Sequence, residues 1–183
     1  MVVHTRTPRG QGRPRLLEAA GELFAERGVS GTSLQSIADR LGVTKAAIYH
    51  QFASKDEIVI AVAEPVIAHL AELADAAAST TPQAGRAVVI AGLVDLATAQ
   101  RGTAAIMRRD PSMSQILNNH EPYMVQIARI DAVLLGPDPS PERRVALAFA
   151  GGGIAVGGEL AGLEPATLRT ALIAAMTRAL ETP

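Results

Sequence analysis

The sequence contains no cysteine and no tryptophan, and aromatic residues make up only 3% of its 183 positions. Without cysteine, the chain has no disulfide bonds, no thiolate metal sites and no cysteine nucleophile. Its hydrophobic residues are mainly Ala, Leu, Ile and Val. This composition suits close packing of helices better than β-sandwiches, which use aromatic and β-branched residues. The expected fold class is therefore all-α.

Long apolar segments are also missing. The longest uncharged stretch covers residues 145–158, which is shorter than the roughly 20 residues that a helix needs to span a bilayer. Residues 1–15 contain no apolar core of the length that a signal peptide requires. We therefore expect a cytoplasmic protein.

Common catalytic signatures are absent as well. The four histidines lie far apart in the sequence, and no H-E-x-x-H, G-x-S-x-G or P-loop motif occurs. The glycine-rich residues 151–158 fit a dinucleotide-binding fingerprint in no register. We therefore expect a protein that is not an enzyme and that holds no metal or cofactor.

Charge is distributed unevenly along the chain. Residues 1–55 contain eight Lys and Arg against four Asp and Glu, whereas residues 56–183 contain nine against fourteen. Residues 1–55 are therefore basic and residues 56–183 acidic, which indicates that the first segment binds a polyanion. Residues 1–14 are rich in Pro, Gly and Arg and are expected to form a disordered basic arm. Its arginines either contact DNA beside the main site or bind nothing specific.

Apolar spacing and helix-capping residues predict about nine helices and no strand. Thr32 and Gln35 fit a capping box at the start of the second helix, and Gly42 is expected to end it. Pro65 is predicted to kink the fourth helix. The predicted helices cover residues 13–27, 33–41, 45–52, 55 to about 75, 82–101, 103–109, 112–135, 141–160 and 165–181.

The segment 32–52, TSLQSIADRLGVTKAAIYHQF, has the layout of a helix-turn-helix. Lys45 and Ala46 fall in the first turn of its second helix, where a recognition helix meets base edges in the major groove, and Tyr49 follows one turn later. The residues predicted to hold the two helices together are Ile37, Ala38, Leu41, Val43 and Ile48.

Residues 16–62 resemble the DNA-binding domain of TetR-family transcriptional repressors. The family's first-helix pattern A-x-x-L-F-x-x-x-G is present at residues 20–28, and its core T-S-x-x-x-I-A-x-x-x-G-V-[ST] begins at Thr32. The resemblance implies a DNA-binding domain at residues 15–62 and a ligand-sensing and dimerisation domain at residues 63–183. It also implies a homodimer that binds a palindromic operator and is released by a small-molecule inducer. The alternative is a helical ligand-binding protein or enzyme with no role at DNA.

The resemblance also places DNA contacts on individual residues. Phosphate contacts fall on Thr32 or Ser33, Thr44, Tyr49 and Lys55, and base contacts fall on Lys45, Ala46 and His50. Each position has a simpler alternative, because Thr32 and Thr44 also suit helix caps, Lys45 and His50 suit a solvated surface, and Lys55 suits the flank of a capped helix.

In TetR-like proteins the last two helices of each subunit pair across a two-fold axis. Gly153 with Gly157, and Gly158 with Gly162, have the spacing that lets helix backbones approach closely. Leu168, Leu172, Ala175 and Ala179 are expected to line the same interface from the last helix.

The resemblance places the inducer among residues 82–135. Candidates for a polar lining are Asn118, Asn119, His120, Tyr123 and Gln126, with Met107, Met113 and Met124 as adaptable apolar walls; ordinary surface or core positions are the alternative for each. Ligand binding is predicted to tilt the fourth helix before Pro65, the alternative being a static kink.

Overall fold

The computed structural model describes residues 12–99, 103, 106, 107, 110–157 and 163–181. All regular structure within these residues is helical, which confirms the all-α prediction. The helices longer than a single turn are α1 (Gly12–Arg27), α2 (Leu34–Leu41), α3 (Lys45–Tyr49), α4 (Lys55–Ala78), α5 (Pro82–Ala99), α6 (Pro111–Asn118), α7 (Glu121–Leu135), α8 (Pro141–Gly157) and α9 (Pro165–Leu180). Most of the helix predicted at 103–109 lies outside the described residues.

The chain divides into two compact units, and the division falls between Ala63 and Glu64, inside α4. The first unit packs α1, α2, α3 and the first turns of α4 around an aliphatic core that also contains the rings of Phe24 and Phe52. Its fully buried side chains include Leu16, Leu23, Phe24, Ile37, Ala38, Ile48, Ile58 and Val59.

In the second unit, α5 packs against α7, α8 and α9. An ion pair supports this packing, because Arg169 of α9 donates to Asp95 of α5 over 2.8 Å and the hydrogen bond lowers the pKa of that carboxyl. The buried side chains of this unit include Val89, Ile90, Val94, Met113, Leu117, Ile130, Leu134, Leu168, Leu172, Met176 and Leu180.

Glycine permits a close approach between the end of α4 and the start of α5. A Cβ added at Gly85 would lie 2.7 Å from the carbonyl oxygen of Ala77, which real Cβ atoms essentially never do. Since the obstacle is backbone, only glycine fits here without a shift of one helix against the other.

The single helix predicted at 112–135 is wrong, because the structure has two helices there. The Asn119 amide donates to Ile116 O and the His120 amide donates to Leu117 O, so α6 closes in a tight turn. Pro122 then lies in the first turn of α7. Proline has no amide hydrogen to bond the carbonyl of Asn118, so a continuous helix would lose that bond.

One further boundary differs from the prediction. The first helix begins at Gly12, so residues 12–14 belong to α1 and not to a disordered arm; residues 1–11 lie outside the described part of the chain. Pro65 lies inside α4, which continues as one helix from Lys55 to Ala78. Among the described helices, none combines the length and hydropathy needed to cross a bilayer.

Candidate DNA-binding interface

The turn between α2 and α3 depends on Gly42. Its φ of 66° lies in the left-handed region, which glycine enters without the steric cost of a side chain. The next amide, of Val43, donates back to Ala38 O over 3.0 Å. This geometry ends α2 and redirects the chain into α3.

The start of α2 is capped by serines. The Ser33 hydroxyl accepts from the Ser36 amide over 3.0 Å, and the Ser36 hydroxyl accepts from the Ser33 amide over 2.9 Å. The capping box predicted for Thr32 and Gln35 is therefore wrong by one residue. Ser33 remains exposed at the start of α2.

Thr32 has a structural role instead. Its side chain is 2% exposed, and its hydroxyl donates to the Gly28 carbonyl over 2.8 Å. A hydroxyl held in this way stabilises the turn that follows α1. It is not available to a DNA backbone, so Ser33 is the better candidate of the two.

Lys55 ties the same turn to the start of α4. Its Nζ donates to Val29 O over 2.7 Å and to Thr32 O over 3.1 Å. An ammonium group has three donor hydrogens. The third is therefore free to serve the phosphate contact that the sequence suggested for this residue.

The exposed face of α3 gathers most of the predicted contact residues. Thr44 caps the helix, since its hydroxyl accepts from the Ala47 amide over 3.3 Å. Tyr49 is 51% exposed, and Lys45 Nζ lies 5.7 Å from the centroid of its ring. Ala46 and His50 are exposed as well, whereas Ile48 points inward and is buried.

A network of charges holds α2 at its angle to α1. Arg40 of α2 donates to Glu26 over 2.8 Å and to Glu22 over 2.9 Å. These bonds raise the pKa of the Arg40 guanidinium, Glu26 contributing most. Ile37 and Ala38 are buried beneath them. The helix that precedes the recognition helix is thus held against α1 by buried apolar side chains and by ion pairs at the surface.

Two residues of this region differ from the sequence interpretation. Val43 is 42% exposed, so it does not form part of the core between α2 and α3 and instead lies beside the recognition surface. Arg13, which the sequence placed both in the basic arm and at the start of the first helix, is helical, and its guanidinium lies 4.3 Å from the centroid of the Phe52 ring. The signal that could have revealed Arg13 is its place one turn before the apolar stripe of α1.

Comparison with known proteins agrees with this geometry. Residues 16–62 match the family model described as "Bacterial regulatory proteins, tetR family". The first unit of the chain therefore matches the DNA-binding domain of the TetR family. Among curated proteins, the chain is similar to the HTH-type transcriptional activator FasR of Mycolicibacterium smegmatis. The two sequences are 46% identical over 57 residues, which are 31% of this chain and 26% of FasR. The chain is also similar to the HTH-type transcriptional repressor KstR2 of Mycobacterium tuberculosis H37Rv, 49% identical over 47 residues, which are 26% of this chain and 24% of KstR2.

The sequence matches thus span only about a quarter of the length of these TetR-family relatives, whereas the fold extends further. A TetR-like regulator from Rhodococcus sp. RHA1 superposes with a TM-score of 0.70 at 20% identity, over 97% of this chain and all of that one. FadR of Bacillus subtilis superposes with a TM-score of 0.65 at 18% identity, over 92% and 97% of the two chains. Both units of the chain therefore have the TetR-family fold.

The predicted ligand residues occupy varied positions in the second unit. Met107 and Met113 are buried. Asn119 is exposed and donates to Gln115 O within its own helix. Asn118 and Met124 are also exposed, whereas His120, Tyr123 and Gln126 are half-buried.

The predicted dimer residues divide in a similar way. Leu168 is 2% exposed and Leu172 is also buried, so both pack inside the subunit. Their assignment to a dimer interface is corrected, because α9 buries residues 168, 172, 176 and 180 inside the subunit. Gly153 and Ala175 are exposed and Ala179 is half-buried, whereas Gly158 and Gly162 lie outside the described residues. Gly157 is the last residue of α8.

The sequence interpretation missed the largest exposed apolar side chain of α8. Phe149 is 78% exposed, and Val145 one turn earlier is exposed too. Gly152 and Gly153 continue the same exposed side of the helix. The sequence shows apolar residues four positions apart at Val145 and Phe149. Only the packed structure shows that this face of the helix is turned away from the core.

Proposed function

We propose that this chain is a transcriptional repressor that binds a palindromic operator as a homodimer and is released by a small-molecule inducer. One observation carries the proposal: a short helix, capped by Thr44, presents Lys45, Ala46, Tyr49 and His50 together on a braced surface. This is the arrangement in which a recognition helix enters the major groove. A regulator that binds DNA in this way is also proposed to act in the cytoplasm.

The contacts divide into two classes. Lys45, Ala46 and His50 are assigned to base edges, which carry sequence information. Ser33, Thr44, Tyr49 and the third donor of Lys55 are assigned to phosphates, which set the position of the protein on the duplex. The cation–π contact between Lys45 and Tyr49 limits the conformations of both side chains before DNA arrives, which lowers the entropy lost on binding.

The homodimer is proposed to form through α8 and α9. Phe149, Val145 and Gly153 line the exposed side of α8, and Ala175 lies on the exposed side of α9, which packs beside it. Small residues let backbones approach, and an exposed phenyl ring supplies apolar area that a second copy can cover. The alternative dimer contacts at Leu168 and Leu172 are not part of this proposal, because both side chains are buried in the subunit.

The inducer is proposed to be a largely apolar small molecule that binds in the second unit. Two related solved structures support this class: FadR of Bacillus subtilis is described in complex with stearoyl-CoA, and KstR2 of Mycobacterium tuberculosis is described as a ketosteroid transcriptional regulator. On this proposal, ligand binding tilts the part of α4 before Pro65. The recognition helices of the dimer then no longer match successive major grooves, which lie about 34–36 Å apart.

Selection of purified protein on random duplex DNA tests the proposal. We expect a two-fold symmetric consensus whose affinity falls steeply with salt. Lys45→Ala should weaken binding about 5- to 100-fold and change the preferred base at one position of each half-site. Tyr49→Phe should weaken all sites equally, about 3- to 10-fold.

Arg144→Ala is the matched control, because it removes an exposed positive charge from α8 and should leave the consensus unchanged. Absence of any enriched sequence from a folded dimer would contradict the proposal and favour a helical ligand-binding protein with no role at DNA. Retention of the wild-type base preference by Lys45→Ala would refute its base contact alone.

A further inference from the structure

Two arginines of the second unit lie at the junction of three helices. Arg86 belongs to α5 and Arg143 to the first turn of α8, and these helices pack against each other. One Nη of Arg143 donates to Leu134 O at the end of α7 over 3.3 Å. Both arginine side chains are half-buried.

The inner nitrogen of each guanidinium lacks a partner. The Nε atoms of Arg86 and Arg143 are shielded from solvent and form no hydrogen bond with any described residue. Buried donors are almost always paired in folded proteins, so an unpaired one calls for an explanation such as an ion outside the polypeptide. Here two such donors occur on neighbouring side chains of the same charge.

Three described carboxylates of the surrounding helices have other partners or surroundings and are not shared by the two arginines. Asp95 of α5 binds Arg169. Glu142 of α8 interacts with its own amide and the Ser140 hydroxyl. Asp131 of α7 has its pKa raised by burial alone, whereas a nearby arginine would lower it.

The electrostatics of the two arginines favour an anion beside them. Burial, and then the positive charge of Arg143, lower the pKa of the Arg86 guanidinium. Bringing two cations together at half-buried positions is unfavourable unless something negative lies between them. Guanidinium groups match carboxylate and phosphate oxygens through paired N–H donors, one of which is the Nε–H.

We propose that Arg86 and Arg143 form a binding site for an anionic oxygen group, either a carboxylate or a phosphate, on the ligand that this protein senses. The assignment of that ligand as the inducer rests on the proposed function. The apolar body of the ligand would lie along the aliphatic side chains of α5 and α7, with its acidic group held at the junction with α8.

Thermal unfolding of the full chain without DNA tests the site with two probes, sodium pyrophosphate for the phosphate and sodium octanoate for the carboxylate, at constant ionic strength. We expect at least one probe to raise Tm in a saturable way below about 10 mM. Arg86→Met and Arg143→Met should each weaken the apparent Kd for that probe by about tenfold or more. Stabilisation by only one probe identifies which acidic group the site accepts.

Arg144→Met is the control, since it removes the same charge from the next residue of α8, whose Nε donates to Pro139 O. It should keep the wild-type response. If a methionine variant fails to fold, Arg86→Lys and Arg143→Lys keep the charge but remove the Nε–H, and each should still weaken binding several-fold. No response to either probe, or an equal loss in Arg144→Met, would overturn the site.

The outcome is independent of the proposed function. Operator binding is measured separately, so a protein that binds an anion through both arginines but selects no DNA would refute the repressor and leave the site standing. A protein that selects DNA but responds to neither probe would do the reverse.

Discussion

Among single residues, Asp131 illustrates how burial alone changes the pKa of a carboxyl group. It is half-buried on α7, and that burial raises the pKa of its carboxyl above the ordinary 3.8. The folded state therefore binds a proton more tightly than the unfolded chain does. The associated stability is fully present below the unfolded pKa and is lost as pH rises through the folded pKa.

Asp131→Asn should therefore raise Tm by a few degrees at most at pH 7, where the aspartate is charged and poorly solvated. The gain should disappear at pH values below the ordinary pKa, because the native carboxyl is then neutral as well. Thermal unfolding across a pH series measures this. Glu18→Gln removes a charge from an exposed position of α1 and should show no such rise; a Tm of Asp131→Asn at or below wild type at pH 7 would contradict the argument.

Single residues also show where sequence reasoning stops. Thr32 with Gln35 and Ser33 with Ser36 are overlapping candidates for the same cap, and the first pair fits the usual Ser/Thr-x-x-Glu/Gln pattern better. The structure selects the second because the Thr32 hydroxyl is already bound to the carbonyls of Gly28 and Leu23. Those bonds depend on how α1 ends, which the local pattern does not contain.

At the scale of helices, two prolines within apolar runs behave differently. Pro122 marks the start of α7, whereas α4 continues through Pro65. Ala63 and Glu64, both strong helix formers, precede Pro65, and its side of the helix faces solvent. Residues 118–120, Asn-Asn-His, are poor helix formers and precede Pro122 by one turn. Apolar spacing was enough to predict most helices, but the effect of a proline depends on its neighbours.

The same helix offers a test of the proposed switch. Pro65→Ala restores an amide that can donate to the carbonyl of Ala61, so the mutant should unfold at higher temperature, by up to about 3 kcal/mol in stability. If Pro65 provides the flexible point of α4, this variant should bind the operator normally but need more ligand for release. Operator-binding titrations with and without an inducer, such as stearoyl-CoA if it acts, measure the coupling.

Glu64→Ala is the appropriate comparison, because it alters the exposed neighbouring side chain without changing the backbone hydrogen bonds of α4. It should release DNA at the wild-type ligand concentration. An unchanged release curve for Pro65→Ala would show that the proline is only a static feature of the helix.

At the scale of the whole molecule, the sequence predicted the first unit in more detail than the second. The helix-turn-helix depends on short-range features, namely Gly42, the Thr44 cap and an apolar residue at Ile48, and all of these can be recognised locally. The dimer surface depends on which side of α8 and α9 is left uncovered after the subunit packs. Leu168 and Leu172 belong to the row of residues that α9 buries inside the subunit, and apolar spacing alone does not distinguish such a core row from an interface.

The exposed ring of Phe149 makes the dimer proposal testable. In a monomer this side chain is 78% exposed, so replacing it should not destabilise the subunit, whereas burying a carboxylate in an apolar interface is strongly unfavourable. Phe149→Asp should therefore raise the dimer dissociation constant about 100-fold or more. It should also reduce affinity for the palindromic operator while leaving weak binding to one half-site.

Sedimentation and circular dichroism of the same samples separate loss of association from loss of folding. Val88→Asp introduces the same charge at an exposed apolar position of α5, on a different helix, and should remain dimeric. A Phe149→Asp protein that stays a dimer would mean that the two copies meet elsewhere. A folded monomer that no longer binds the palindrome would show instead that operator recognition requires two copies joined through α8, because one recognition helix reaches only one half-site.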